Sequence, residues 1–329
     1  MAFIRNNQKN LLIALAILLV GVLPLIFSGS PYLVLIGCYI IIYLIAVSGL
    51  DVLIGFSGQI SMGHSAYYCL GAYISVILHD VTGIPVIFTM LIAAVVATVV
   101  GSIIAWPTTG LVAHFMSLAT IAFGEIILQL VTVSPGGISG NARGLYTVPI
   151  SLFGFQLNTY LRFFYFAFAV LLVALLIKSH LLHSRAGRAM LAIRENSHAA
   201  DGMGVNVRFY KISAFAFSAF YTSFAGAMYA HLSRYICPDS YTRVMSVMFL
   251  TMLLFGGTSS MLGPILGVVA VTIMNEMLRT AAAYKMLAYG ITLLFVIVVC
   301  PGGIMGIVDK VKHSFKKKPG TSEPAREGK

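Results

Sequence analysis

Charged residues are scarce in this chain of 329 residues, where Asp, Glu, Lys and Arg together make up only 9% of the sequence. Soluble domains carry about 25% of such residues, so a soluble enzyme or carrier is excluded. Hydrophobic residues make up 59%, and the two figures together predict an integral membrane protein. Basic residues outnumber acidic ones by 21 to 10. Because the bases lie in loops and tails, we attribute their excess to topology and lipid headgroups rather than to nucleic acid.

Cysteine is also scarce, and a nucleotide-binding motif is missing. The four cysteines, Cys38, Cys69, Cys237 and Cys300, have no paired spacing, so we expect neither a disulfide framework nor a zinc site. The phosphate-binding pattern G-x-x-x-x-G-K-[ST] does not occur. We therefore expect no metal or cofactor on this chain and no enzymatic activity, and energy from ATP would have to come from a partner subunit.

Apolar runs separated by short polar segments fill most of the sequence. A helix needs about twenty mostly apolar residues to cross a bilayer, and shorter runs also suit broken or re-entrant helices packed within protein. The fold class we predict is all-α, a polytopic helical bundle with about ten transmembrane or re-entrant helices. The predicted spans lie near 11–27, 32–50, 61–78, 84–106, 111–133, 159–178, 211–231, 244–261, 263–279 and 286–300.

The basic residues predict the orientation of these spans. With a cytoplasmic N-terminus, 15 of the 21 bases fall in internal segments, as the positive-inside rule requires. Both termini are then cytoplasmic, and the run at 11–27 is a retained span rather than a signal peptide. We divide the chain into a cytoplasmic N-terminus (1–10), a transmembrane domain (11–307) with a long internal loop at 178–211, and a basic cytoplasmic tail (308–329).

One polar stretch interrupts the apolar sequence at Gly55–Tyr73, which reads GFSGQISMGHSAYYCLGAY. Its glycines and hydroxyls predict a broken helix that packs closely and lines or gates a pathway. A similar sequence at Phe255–Met261 (FGGTSSM) echoes Phe56–Met62 (FSGQISM), which suggests a duplicated bundle with a site near the repeat interface. The pathway candidates from these two stretches are Ser57, Gly58, Gln59, Ser61, Gly63, His64, Gly256, Gly257 and Thr258.

Glu125 is a further pathway candidate because it lies well inside an apolar run. An intramembrane carboxylate marks either a functional position or a tightly bonded structural acid. If it is functional, an ion-coupled carrier that works alone becomes an alternative, with Glu125 as its coupling acid.

A second alternative is an intramembrane serine protease. Gly55–Gly58 has the G-x-S-G form of the rhomboid serine motif, and His231 would be its base. Our predicted topology places Ser57 and His231 at opposite ends of their spans, roughly 30 Å apart, whereas a serine and its base must be within hydrogen-bond reach.

The internal loop contains helix-forming residues at Arg185–His198 (RAGRAMLAIRENSH). Ala189, Ala192 and Ile193 recur at helical spacing, which predicts one short amphipathic helix lying against the cytoplasmic face.

The sequence that follows, RENSHAADGMGVN at Arg194–Asn206, resembles the cytoplasmic coupling segment of bacterial ABC importer permeases. Its pattern is an Ala-Ala pair with an acidic neighbour and a glycine a few residues on, here Ala199, Ala200, Asp201 and Gly204. Together with G-x-S-G-Q-I-S-x-G-H at Gly55–His64, it makes the chain similar to the branched-chain amino-acid permease family. His198 precedes the pair, where the pattern often has a glutamate.

The resemblance implies a permease subunit of an ATP-driven importer for leucine, isoleucine and valine, in a bacterial inner membrane. The same architecture carrying urea, an amide or another amino acid is the alternative. The implied partners are a second homologous permease, two ATPase subunits that bind ATP and Mg, and an external binding protein that meets the loops at 134–158 and 232–243. The internal helix would dock on an ATPase, with Arg188, Arg194 and Glu195 as polar contacts.

Overall fold

The computed structural model describes residues 21, 24, 29–110, 113–152, 155–279, 284–299 and 303–306. Almost all of the predicted first span at 11–27 lies outside these residues, as do the predicted terminal segments 1–10 and 308–329. The domain boundaries drawn from the sequence therefore stay predictions.

Helices dominate the described part of the chain, which confirms the predicted all-α membrane bundle. The break after the first helix includes a π-helical turn at Val52–Phe56. The helices are α1 (Pro31–Asp51), α2 (His64–Thr82), α3 (Val86–Thr108), α4 (Ala113–Val133), α5 (Tyr160–His183), α6 (Arg185–Glu195), α7 (Ser197–Gly202), α8 (Val207–Ser233), α9 (Arg243–Gly256), α10 (Gly263–Met277) and α11 (Lys285–Val299).

Two small antiparallel ladders complete the structure. The strands are β1 (Leu145–Tyr146), β2 (Ser151–Leu152), β3 (Phe155–Gln156) and β4 (Tyr235–Ile236). In the first ladder Leu145 pairs with Ile236 and Tyr146 with Tyr235, and the second joins β2 to β3. The first ladder thus connects the two loops that the sequence placed on the external side.

Four stretches among the described residues are long and apolar enough to cross a bilayer: Pro31–Phe56, Val86–Thr108, His114–Val133 and Tyr160–His183. Only 28–33% of α3, α4 and α5 is buried within the chain, so these helices have broad faces for lipid or another protein. The predicted span at 244–261 is too long, because α9 ends at Gly256 after 14 residues. A helix of that length rises about 21 Å, less than the hydrocarbon thickness.

Helix α8 is the central element and packs against α1, α2 and α3. It crosses α2 where Gly71 faces Ser223 and Gly226 faces the Tyr68 carbonyl, and an added Cβ at either glycine would collide with that backbone. Small residues at such crossings let membrane helices approach closely and gain van der Waals contact.

Aromatic rings fill the space beside this crossing. The Tyr68 ring lies 5.6 Å from Tyr229, 5.9 Å from Tyr241 and 5.4 Å from Phe249. These contacts join α2 and α8 to α9 and to the 3₁₀ turn Pro238–Tyr241, and tilted or edge-on pairs of this kind add to the stability of a buried core.

We expect Gly226→Ala to destabilise the protein by about 1–3 kcal/mol, since the methyl group forces the α2–α8 crossing apart. Gly290→Ala in α11 is the matched control, because its Cβ would meet nothing within 4 Å and alanine favours a helix. Thermal unfolding in detergent, followed by size-exclusion chromatography, measures the difference. Equal stability of the two variants would contradict the close crossing.

Candidate functional site

The polar stretch at Gly55–Tyr73 forms a broken helix, as predicted. After the π-helical turn, residues 57–63 have no regular secondary structure, and α2 begins at His64. Gln59 Nε2 donates to the Lys211 carbonyl (3.1 Å), whereas His64 Nε2 lies 2.7 Å from Ser218 Oγ. Because Ser218 is seven residues further along α8, this segment advances about 10 Å along α8. Helix α2 therefore starts well inside the bundle, away from the N-terminal end of α8.

The polar side chains of this break point into the protein. Ser57 Oγ donates to the Leu53 carbonyl (2.8 Å) and accepts from Gln59 Nε2 (2.7 Å). Ser61 Oγ lies 3.2 Å from His64 Nδ1. Ser57, Gln59, Ser61 and His64 are all at most 4% exposed, so their hydrogen bonds hold the break in shape.

The outer surface of the break consists of Gly58 and Ile60, which are exposed. Gly63 packs against the Thr120 backbone, and Met62 N donates to Thr120 Oγ1 (3.0 Å). The pathway role of these residues stays a prediction. The hydrogen bonds of the inward side chains give them a structural role in the break itself.

The second polar stretch forms another break, between α9 and α10. Gly256 and Gly257 are buried there and Thr258 is half-buried. Ser259 N donates to Asp51 Oδ1 (2.9 Å), and Ser259 Oγ donates to the Gly55 carbonyl (2.7 Å). The two stretches with similar sequences therefore touch each other.

A buried ion pair lies beside this contact and was missed by sequence reasoning. Lys178 Nζ lies 2.8 Å from Asp51 Oδ2, and both side chains are completely buried. It joins the end of α1 to α5, and the Ser259 amide uses the other carboxylate oxygen of Asp51. The sequence signal was available, since an aspartate closing an apolar run needs a partner in a membrane protein. We had instead assigned Lys178 to the internal loop.

Arg194 connects α6 to both breaks. From α6, its guanidinium donates to the Gly55 carbonyl and to Ser259 Oγ. Its side chain also covers Gly58, where a Cβ would lie 3.1 Å from Arg194 Cγ. The sequence proposed Arg194 as a contact to a partner, but here its head group faces this chain.

The predicted single helix at Arg185–His198 is two helices. Asn196 interrupts it, and its side chain accepts from the amides of His198 (3.1 Å) and Ala199 (3.0 Å). Such a cap starts a new helix, α7, instead of continuing the old one.

The predicted apolar face of this helix is also wrong in part. Gly187, Met190 and Ile193 are buried, whereas Ala192 is exposed. Met and Ile bury more apolar surface than Ala, and they decide which side of α6 faces the bundle.

The other coupling candidates lie mostly on the surface. Ala200 is 5% exposed, and Gly204 has a left-handed φ of +80° with open space around it. A groove of about 770 Å³ lies on one side of the turn at Gly204, bordered by Trp106 and Asp201, and another of about 560 Å³ lies on the other side. The exposed candidates are Arg188, Glu195, Ala199, Asp201 and Gly204.

Glu125 is partly exposed and forms an ion pair with Arg243. Its Oε1 lies 3.4 Å from Arg243 Nε, and the two side chains are 41% and 61% exposed. A charged side chain facing lipid at mid-membrane costs about 2.5–3.5 kcal/mol. We therefore expect this face of α4 and α9 to be covered by water or by another protein rather than by lipid.

The serine and histidine of the protease alternative belong to separate networks. His231 Nε2 lies 3.0 Å from Ser75 Oγ, and its Nδ1 lies 2.8 Å from the Val148 carbonyl oxygen. Ser57 bonds to Leu53 and Gln59, as described above, so the geometry gives no support to a Ser57–His231 pair.

Interrupted apolar helices joined to short helices outside the apolar spans are typical of a polytopic membrane protein. The family described as the permease component of the branched-chain amino acid transport system matches residues 32–299. The chain belongs to this family, which confirms the resemblance drawn from the two motifs.

Named relatives agree with the family. The chain is 28% identical to the high-affinity branched-chain amino acid transport system permease protein LivM of Escherichia coli (strain K12), over 91% of this chain and 75% of the relative. It is 25% identical to the probable branched-chain amino acid transport permease protein LivM of Methanocaldococcus jannaschii, over 70% of this chain and 71% of that protein. No solved structure matches the chain.

We expect Asp51→Asn to destabilise the protein by about 3–5 kcal/mol, because it leaves the Lys178 ammonium buried without a counter-charge. Asn keeps one oxygen, which can still accept from the Ser259 amide, but its NH2 group replaces the oxygen that accepts from Lys178, so the variant removes both the charge and that hydrogen bond. The double variant Asp51→Asn with Lys178→Met should regain much of the stability, since neither charge remains. Thermal unfolding in detergent is the measurement.

Glu276→Gln is the control for the loss of stability expected in Asp51→Asn. It breaks an exposed pair in which Arg279 Nε lies 3.7 Å from Glu276 Oε1, and such pairs contribute about 1 kcal/mol or less. A double variant no more stable than Asp51→Asn alone would contradict the ion-pair interpretation.

Proposed function

We propose that this chain is a permease subunit of an ATP-driven importer that takes up leucine, isoleucine and valine. The observation that carries the proposal is the link from α6 through Arg194 to both helix breaks. The family and the printed names of the relatives support the amino-acid class.

Transport would begin with a push on the cytoplasmic helices. ATPase subunits, which bind ATP and Mg, dock on the exposed side of α6 and α7 and on the turn at Gly204. When they close, α6 moves, and the Arg194 guanidinium transfers that movement to the Gly55 carbonyl and Ser259. Since α2 and α9 adjoin those breaks, their shift opens the pathway to the inside.

The broad open faces of α3, α4 and α5 support a second, homologous permease as partner, with lipid covering the rest. An external binding protein would deliver the amino acid to the loops joined by the β1–β4 ladder. Tyr146, on β1, is 84% exposed and lies 5.2 Å from the Tyr235 ring. Exposed tyrosines of this kind suit protein recognition.

The proposed location is a bacterial inner membrane with both termini in the cytoplasm. The distribution of basic residues supports this orientation. The geometry is consistent with it, because α6 and α7 pack at one end of α8 and the β1–β4 ladder lies at the other end.

The first experiment is purification of the tagged chain from native membranes in mild detergent, followed by reconstitution with the binding protein. Co-purification of a second permease and two ATPase subunits, with ATP-dependent leucine uptake, is the expected result. Uptake of urea or an amide in place of leucine would support the alternative solute. Uptake by the chain alone without ATP would contradict the proposal.

We expect Gly204→Trp to reduce the amount of co-purified ATPase about tenfold or more. The indole adds bulk to the exposed turn and strains a residue whose φ is +80°, and strain of this kind costs about 1–3 kcal/mol. Gly83→Trp is the matched control at the external end, since Gly83 also has a positive φ (+68°) and open space. Equal ATPase retention in both variants would argue against docking at this turn.

Arg194→Ala should separate docking from coupling. We expect it to retain the ATPase subunits but to lose most leucine uptake and most stimulation of ATP hydrolysis by the binding protein. Arg194→Lys should fall between the two, because it keeps a charged nitrogen that can donate to both acceptors, as Nη1 does in the arginine, but carries it on a shorter side chain. ATP hydrolysis and uptake in proteoliposomes give the readout, and normal coupling in Arg194→Ala would refute the link.

A further inference from the structure

We propose that Glu125 and Arg243 form a subsite for the two charged groups of a zwitterionic amino acid. This inference rests on the proposed function and assigns its ligand-binding groups on this chain. Glu125 would accept hydrogen bonds from the α-ammonium group, and Arg243 would donate to the α-carboxylate.

The depth of the pair favours a pathway position. Glu125 lies twelve residues after Ala113, the first residue of α4, which is about 18 Å along the helix. Arg243 begins α9, and the other end of α9, at Gly256, adjoins the cytoplasmic break, about 20 Å away. Both charges therefore lie far from the cytoplasmic surface. At that depth within a hydrocarbon core of about 30 Å, lipid alone would exclude charged groups.

Two of the ion pairs among the described residues differ in the way a ligand site requires. Asp51 and Lys178 are hydrogen-bonded at 2.8 Å and completely buried, so they are closed to any ligand. Glu125 and Arg243 are 3.4 Å apart and 41% and 61% exposed. Charge-assisted hydrogen bonds are usually about 2.7–2.9 Å long, so the pair leaves its hydrogen-bonding capacity available to a solute.

Two helices begin beside the pair. Helix α9 starts at Arg243, and the Thr242 side chain does not cap it. Ser65 N, at the start of α2, donates to Ser246 Oγ of α9 (2.8 Å), so both helix N-termini lie at one level. The positive end of the helix dipole attracts a carboxylate, which orients the amino acid with its carboxylate toward Arg243.

Apolar surface adjoins the charges. Leu118, Ala122 and Glu125 follow one another at four- and three-residue spacing on α4, so they share one face, and all three are at least partly exposed. Val244 is 37% exposed next to Arg243. A branched aliphatic side chain could therefore pack beside the ion pair, which suits leucine, isoleucine or valine.

The test uses the complete assembly with its binding protein in proteoliposomes. We expect Glu125→Gln and Arg243→Gln each to lower leucine uptake about tenfold or more, the effect of losing one hydrogen bond to a charged group. Basal ATP hydrolysis and co-purification of the second permease should stay within about twofold, a smaller change than one such bond produces. Glu276→Gln and Arg279→Gln remove the same charges from an exposed pair at the C-terminal end of α10 and should leave uptake unchanged.

The reversed pair, Glu125→Arg with Arg243→Glu, separates a ligand site from a structural ion pair. A structural pair should regain uptake on reversal. A ligand site should not, because a glutamate at the start of α9 repels the carboxylate. Recovery in the reversed variant, unchanged uptake in the single variants, or loss of the second permease from either would overturn the subsite.

A labelling experiment on the unmodified assembly avoids any folding defect of the variants. A leucine analogue with a diazirine in its side chain should label α4 near Leu118 and α9 near Val244, and excess leucine should prevent it. Labelling confined to other elements would overturn the subsite alone. Failure of the unmodified assembly to take up leucine would overturn the proposed function together with it.

Discussion

The interaction on which the region around the two helix breaks depends is the completely buried ion pair between Asp51 and Lys178. Two charges in a medium of low dielectric constant are stable only when they stay paired and hydrogen-bonded. The pair therefore fixes α1 against α5. Because the Ser259 amide uses the same carboxylate, it also fixes the α9–α10 break against the α1–α2 break, where Arg194 can reach both.

In this arrangement a closely packed core lies beside the two helix breaks. The α2–α8 crossing at Gly71 and Gly226 and the rings around Tyr68 form a closely packed core, which resists small displacements. The breaks lack continuous helical hydrogen bonds and are held by a few polar contacts instead. A force on α6 would thus be taken up at the breaks while the core stays intact, and the α2 and α9 N-termini beside Glu125 and Arg243 would move with them.

Much of the helical architecture could be predicted from the sequence, because the length of an apolar run indicates the length of the helix that it forms. The break at Gly55–Tyr73 could be predicted too, since glycines and polar residues clustered in an apolar chain favour an interrupted helix. The errors arose where neighbouring residues compete to decide the local structure. The Asn196 side chain capped a second helix, and Met190 and Ile193 outweighed the alanines in choosing the buried face of α6.

The sequence by itself determined the membrane class, the family and the helix interruption at Gly55–Tyr73, because these follow from composition and from short motifs. Only the tertiary structure decided which interruptions meet and which charges pair. Asp51 is 127 residues from Lys178 and 208 from Ser259 along the chain, and no local pattern carries that information. Whether an intramembrane charge is closed, as at Asp51, or open, as at Glu125, depends on the packing around it.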